Sequence, residues 1–267
     1  MTDETDGTRG TDETDEFDVL GLRHGTEGLS MESYAEELRE RLPDREVRLA
    51  RTPGQERDLV GGARVVTGRD IDEELIERAE RLDLFACTFA GTDHVPTDAL
   101  VERGAAVTNA GGIHAPGIAE GAIGGMLTFA RRLDEGWRRK ERHEWRHFQS
   151  GEFMGSTVTV VGLGSIGRAI VERLQGFGVD TVGVRYTPSK GGPTDEVIGF
   201  ETEPLHEALS RTDYLVIACP LTDETRGLID ADAFATLPPE AVLVNVARGG
   251  IVDTGALMDA IGDNGIR

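Results

Sequence analysis

The stretch Val158-Thr159-Val160-Val161-Gly162-Leu163-Gly164-Ser165-Ile166-Gly167 decides the reading of this chain. The β-branched, apolar run Thr157–Val161 predicts a buried strand. Gly162, Gly164 and Gly167 follow at once in G-x-G-x-x-G spacing, and Ile166, Ile170, Val171 and Leu174 then recur at the period of an amphipathic helix. In a strand–turn–helix of this kind the first glycine allows a sharp turn and the second lets a pyrophosphate approach the backbone. The third lets helix and strand pack closely. The N–H groups of Ser165 and Ile166, at the helix start, would meet the phosphates. By itself the glycine spacing could be a plain tight turn. With the strand before it and the helix after it, the stretch predicts a dinucleotide site.

Working outward, the next strand should decide which dinucleotide. NAD sites place an Asp or Glu about 20 residues beyond the glycines to hold the ribose 2′-OH. Here the strand Thr181–Val184 runs into Arg185, followed by Tyr186, Thr187, Ser189 and Lys190. A guanidinium, hydroxyls and an ammonium suit a 2′-phosphate, and no carboxylate stands there to repel one. NADP(H) is therefore expected in preference to NAD(H); the alternative is an Arg that is merely solvated at a strand end.

Alternation of strand-like and helix-like segments continues on both sides and predicts an α/β fold with parallel sheets. Strands are expected at Phe17–Leu22, Val47–Ala50, Ala63–Thr67, Asp83–Thr88 and Ala105–Thr108, with helices at Met31–Leu42, Ile71–Arg81 and Thr97–Arg103. After the glycine turn, strands are expected at Tyr214–Ala218 and Val242–Val246, and a helix at Val252–Ile261. An apolar, small-residue helix over Gly117–Arg131 leads into the charged stretch Arg138–His147. The expected organisation is an acidic disordered tail over 1–16, a first domain over 17–112, a helical connector over 113–150 and a dinucleotide-binding domain from 151 to 267.

Composition bounds the partners. The 267 residues carry 49 Asp and Glu against 28 Lys and Arg, a formal charge of −21, which argues against nucleic acid or an anionic membrane as a ligand. Lys140 and Lys190 are the only lysines, and this Arg-for-Lys, acid-rich balance resembles proteins of extreme halophiles; an ordinary acidic cytosolic protein is the alternative. No apolar run approaches the ~18–20 residues that span a bilayer. Cys87 and Cys219 sit in apolar strand-like runs, as reduced thiols of a cytoplasmic protein would. The segment His143-Glu144-Trp145-Arg146-His147 fits the H-E-x-x-H zinc pattern. It lacks an evident third ligand and an apolar helix, so no metal is expected.

Three further stretches narrow the reading. They are Ala218-Cys219-Pro220-Leu221-Thr222-Asp223-Glu224-Thr225-Arg226-Gly227, Asn245-Val246-Ala247-Arg248-Gly249-Gly250-Ile251-Val252-Asp253, and Phe89-Ala90-Gly91-Thr92-Asp93-His94 ahead of Val107–His114. Together with the glycine turn, and in this order, they resemble the D-isomer-specific 2-hydroxyacid dehydrogenases, from about Phe17 to the last residue. Arg185 makes the chain most similar to the members that prefer NADPH and reduce glyoxylate, hydroxypyruvate or related 2-oxo acids.

The resemblance implies two doubly wound parallel-sheet domains, a flavodoxin-like substrate domain and a Rossmann cofactor domain. It implies that Arg248 holds the substrate carboxylate and carbonyl, that the backbone of Phe89, Ala90 and Gly91 clamps the carboxylate, and that Cys219, Pro220, Thr225, Val246, Ala247 and Arg248 line the cofactor. It also implies a small 2-oxo or 2-hydroxy acid as substrate and a homodimer. The family's proton donor is a His in a later Thr-Pro-His-type segment, with a Glu between it and the Arg. Neither occurs in this chain, so the cofactor domain is expected to be incomplete at Arg267. None of His24, His94, His114, His143, His147 and His206 has the context to replace the missing acid. Two functions are thus expected to compete: a reductase whose acid lies beyond Arg267, and a catalytically inactive NADP(H)-binding or regulatory protein.

Overall fold

The computed structural model describes residues 15–25, 28–262 and 265–267. Residues 1–14 of the expected acidic tail lie outside the described residues. Its last two members, Asp15 and Glu16, are exposed and pair with Arg48 at 2.9 Å and Arg81 at 3.0 Å. The chain divides into two compact units at Ile113/His114. Among the described residues no helix is long and apolar enough to cross a membrane.

The first unit runs β1 (Phe17–Gly21), α1 (Met31–Arg41), β2 (Val47–Leu49), α2 (Pro53–Leu59), β3 (Ala63–Gly68), α3 (Glu73–Arg78), β4 (Leu84–Cys87), α4 (Thr97–Glu102) and β5 (Ala106–Asn109). The strands form one parallel sheet in the order β2-β1-β3-β4-β5. Parallel strands joined by helices are covered on both faces, which is why β1 is buried almost throughout. Leu20, Val66, Phe85 and Leu100 centre one core, and α1 closes the other face through Ala35 against Val19 and Val47. Caps set the helix starts: Ser30 accepts from the Ser33 N–H, Thr52 from Gln55, and Asp72 from Leu75. The Asp72 cap places Ile71 ahead of α3, and α3 stops at Arg78, shorter than the apolar spacing implied.

The second unit begins with α5 (Ala115–Ala130) and α6 (Leu133–Glu141). It continues as β6 (Thr157–Val161), α7 (Ser165–Leu174), β7 (Asp180–Val184), β8 (Glu196–Ile198), α8 (Thr202–Leu209), β9 (Tyr214–Ile217), α9 (Ala231–Thr236), β10 (Val242–Asn245) and α10 (Thr254–Gly262). Its parallel sheet has the order β10-β9-β6-β7-β8, so the chain winds outward from β6, crosses back through α8 and continues on the other side. Residues 265–267 run parallel beside β10, with Ile266 bridged to Ala241 and the Leu243 N–H donating to the Arg267 carbonyl at 2.9 Å.

The helix expected as a connector shares this unit's core. Ala119, Ala122, Ile123 and Met126 of α5 bury against Val158, Ile170, Val171 and Leu174, and its small residues let α5 and α7 approach closely. Beyond it, α6 ends at Glu141 and His143 adopts φ +55. His143 and His147 therefore do not share a helix face. Among the described residues no three His, Cys, Asp or Glu side chains gather to hold a metal.

Candidate cofactor cleft and substrate loop

The glycine turn sits at the C-terminal end of β6, beside β9, where the winding of the sheet reverses. In open α/β sheets this is where ligands bind. Gly162 has φ +103, and a Cβ there would lie 2.6 Å from the Cys219 nitrogen and 2.7 Å from the Ala218 carbonyl. Only glycine fits this position. Around a Cβ built on Gly164 there is nothing within 4 Å, which leaves the open approach a pyrophosphate needs. Gly164 also starts α7 without a side-chain cap, and the first N–H groups of a helix, here those of Ser165 and Ile166, have no partner within it.

A cleft of about 470 Å³ opens over this turn. Of the sequence candidates it brings together Gly162, Gly164, Arg185, Tyr186, Thr187, Cys219, Pro220 and Thr225. Ser165, Ile166 and Gly167 belong to α7 directly after the turn, and Val246, Ala247 and Arg248 follow β10 and do not line this cleft. Lys190 joins the cationic side of the cleft, while among the described residues Glu224 is the one carboxylate lining it. Glu224 is held by the Thr222 hydroxyl at 2.9 Å.

Arg185 follows β7, where its N–H donates to Ile198 and its Nη1 to the Gly191 carbonyl at 2.5 Å. Tyr186 is 77% exposed. The first acid beyond β7, Asp195, is spent at the other end of the strand. It accepts from the Thr181 hydroxyl at 2.7 Å and the Thr181 N–H at 2.8 Å, and these bonds hold its carboxyl below the usual carboxylate range.

Two sequence candidates serve the loop that frames the cleft. Thr225 is buried, donates to the Pro220 carbonyl at 2.7 Å and accepts from the Thr222 N–H at 2.8 Å, closing the turn after β9. Cys219 is also buried, and burial pushes its thiol up to about 11. It is a packing group there, not a nucleophile. Leu163 and Phe200 line the cleft as well. Phe200 belongs to no motif; Leu163 is signalled only by the glycines that make room for it.

At the C-terminal end of β10, Asn245 shapes the Arg248 turn. It accepts from the Ala247 N–H at 2.9 Å and donates to the Arg248 carbonyl at 3.1 Å. Arg248 is exposed, and its Nη1 donates to the Ala247 carbonyl at 3.2 Å.

In the first unit, Phe89, Ala90 and Gly91 follow β4. The Ala110 N–H donates to the Phe89 carbonyl, and Asn109 Nδ2 donates to the Ala90 carbonyl at 2.7 Å. Both carbonyls are thereby held by the segment that follows β5 and by its last residue. Arg69 lies over the Phe89 ring at 5.4 Å, and His94 meets that ring edge-on while its Nε2 bonds the Arg69 carbonyl at 2.8 Å.

Residues 123–267 match the model of the D-isomer specific 2-hydroxyacid dehydrogenase family, NAD binding domain. Among curated proteins, D-3-phosphoglycerate dehydrogenase of Mycobacterium tuberculosis is 36% identical over 227 residues, covering 84% of this chain and 42% of the relative. Glyoxylate reductase of Pyrococcus furiosus is 33% identical over 200 residues, covering 72% of this chain and 59% of the relative. A solved D-isomer specific 2-hydroxyacid dehydrogenase family protein of Aeromonas salmonicida superposes with a TM-score of 0.79 at 25% identity, covering 94% of this chain and 79% of that one. The chain belongs to the D-isomer-specific 2-hydroxyacid dehydrogenase family. It spans about two-fifths to three-fifths of the length of these curated relatives.

Proposed function

We propose that this chain supplies the cofactor cleft and the substrate loop of an NADP(H)-dependent oxidoreductase that interconverts a small 2-oxo acid and its D-2-hydroxy acid. The observation that carries this reading is the cleft over Gly162–Gly167. It combines an open pyrophosphate approach at Gly164 with Arg185, Thr187 and Lys190, and the first acid beyond β7 is engaged elsewhere. NADP(H), when bound, supplies or accepts the hydride.

The chain's own residues bind and orient the two reactants. The N–H groups at the start of α7 would hold the pyrophosphate, and the Arg185 guanidinium would pair with the 2′-phosphate. The planar fork of Arg248 holds the carboxylate and carbonyl of the acid and stabilises charge developing on its oxygen. For the first unit, taken by itself, we propose the backbone of Phe89, Ala90 and Gly91 as a carboxylate-binding loop. The acid that protonates the alkoxide is not assigned to any residue of this chain. We extend the reading to a homodimer in the cytoplasm of a salt-adapted cell; the charge of −21 supports the salt adaptation, and sedimentation in molar salt tests the dimer.

The test of the reaction is nicotinamide oxidation by the full-length protein with glyoxylate, hydroxypyruvate and 3-phosphohydroxypyruvate in turn. Turnover with NADPH supports the reading. Tight NADPH binding without turnover on any 2-oxo acid would instead favour a cofactor-binding protein.

A further inference from the structure

Leu163, between Gly162 and Gly164, touches the cleft but is almost wholly buried. It is 5% exposed and belongs to the core that includes Val160 and Ile170. Its Cδ1 methyl lies 2.6 Å from where a Cβ on Gly183 would stand and 2.5 Å from where a Cβ on Gly192 would stand. Gly183 is in the middle of β7, and Gly192 is in the segment that returns from β7 to β8. One methyl thus fills a gap between two glycines on two different segments. A side chain added at either glycine would push that methyl toward the other. Glycine inside a strand is weakening unless something approaches closely, and at Gly183 both Leu163 and the Thr194 hydroxyl, 2.8 Å from the same Cβ position, approach; Leu163 is the one that also reaches Gly192.

The packing reaches Arg185 through one residue. Gly192 follows Gly191, whose carbonyl accepts from Arg185 Nη1. Gly191 itself has φ +61 and turns the segment at that point. The position of Gly192 therefore sets where the Gly191 carbonyl stands, and that carbonyl orients the guanidinium.

We propose that Leu163 is a positioning residue for the 2′-phosphate end of the cofactor. Seated between Gly183 and Gly192, it ties the glycine turn to segment 185–194 and so fixes the place of the Arg185 guanidinium. The inference rests on the NADP(H) reading above.

The test compares 2′,5′-ADP with 5′-AMP, which differ only in the 2′-phosphate, by calorimetric titration of the full-length protein. Wild type is expected to bind 2′,5′-ADP more tightly. Gly192→Ala should weaken 2′,5′-ADP by roughly tenfold, the worth of one charge-assisted hydrogen bond, and 5′-AMP by less than about threefold. Leu163→Ala, which removes the methyl seated between the two glycines, should also weaken 2′,5′-ADP selectively. If Gly192→Ala does not fold by thermal melt, Leu163→Ala alone carries the comparison, with the same selective loss expected.

Equal weakening of both ligands, or an unchanged affinity for 2′,5′-ADP, would overturn the proposal. A wild type that binds both ligands equally would remove the NADP(H) reading itself and this inference with it.

Discussion

A Cβ placed on Gly167 would stand 1.9 Å from the carbonyl oxygen of Gly162, so the last glycine of the turn is required by the first. Gly164, between them, has open space where its side chain would go. The two positions should therefore fail differently. Gly167→Ala is expected to destabilise the protein by about 3 kcal/mol or more, because backbone must move. Gly164→Ala should fold with a stability change within about 1 kcal/mol, yet lose roughly tenfold or more in NADPH affinity as its methyl enters the pyrophosphate approach. Denaturant melts and NADPH titration read the two effects separately.

Arg185 should set the choice of cofactor. On the proposed reading, Arg185→Asp introduces a carboxylate that can accept from a ribose 2′-OH and repels a 2′-phosphate. NADPH affinity is expected to fall by about 10- to 100-fold, and the preference to turn toward NADH. Unchanged NADPH binding in titration would remove Arg185 from this role.

Arg248 should be indispensable to the reaction and not replaceable by Lys. A compact ammonium cannot offer two parallel donors to a 2-oxo carboxylate. Arg248→Ala and Arg248→Lys are both expected to lower kcat/KM for the 2-oxo acid by about 100-fold or more. Steady-state kinetics of the full-length protein checks this, and full activity in the Lys variant would refute the bidentate role.

Asp195 gives a pH signature. Its bonds to Thr181 depress its folded pKa, so it favours folding above the unfolded value of about 3.9 and ceases to as pH falls through the lower folded value. Asp195→Asn should lower the thermal midpoint near neutral pH, with the difference from wild type closing below about pH 4. A difference that persisted undiminished in acid would contradict the assignment.

Much of this was legible in the sequence, because β6 and α7 announce themselves through an apolar run, three spaced glycines and a helical period. Other elements left weaker traces. The helix α2, Pro-Gly-Gln-Glu-Arg-Asp-Leu, has almost no apolar period. It is built from the Thr52 cap, from Pro53 at its start, and from Glu56, which is buried against Arg23 at 2.9 Å. A buried carboxylate reads as a surface residue until its partner, 33 positions away, is seen. Strand β8 is three residues at the sheet edge, too short for periodicity to register. In the cofactor cleft the charged and glycine positions were visible. Leu163 was not, because its meaning lies in two distant glycines. The H-E-x-x-H pattern failed in the opposite way, since its spacing presupposes a helix that ends at Glu141.

Loss of nicotinamide absorbance with the full-length protein in high salt separates an NADP(H)-dependent 2-oxo acid reductase from a protein that only binds the cofactor. NADPH should be consumed on adding glyoxylate, hydroxypyruvate or a related 2-oxo acid, faster than NADH at equal concentration. NADPH that binds but is not consumed with any 2-oxo acid would contradict the reductase reading.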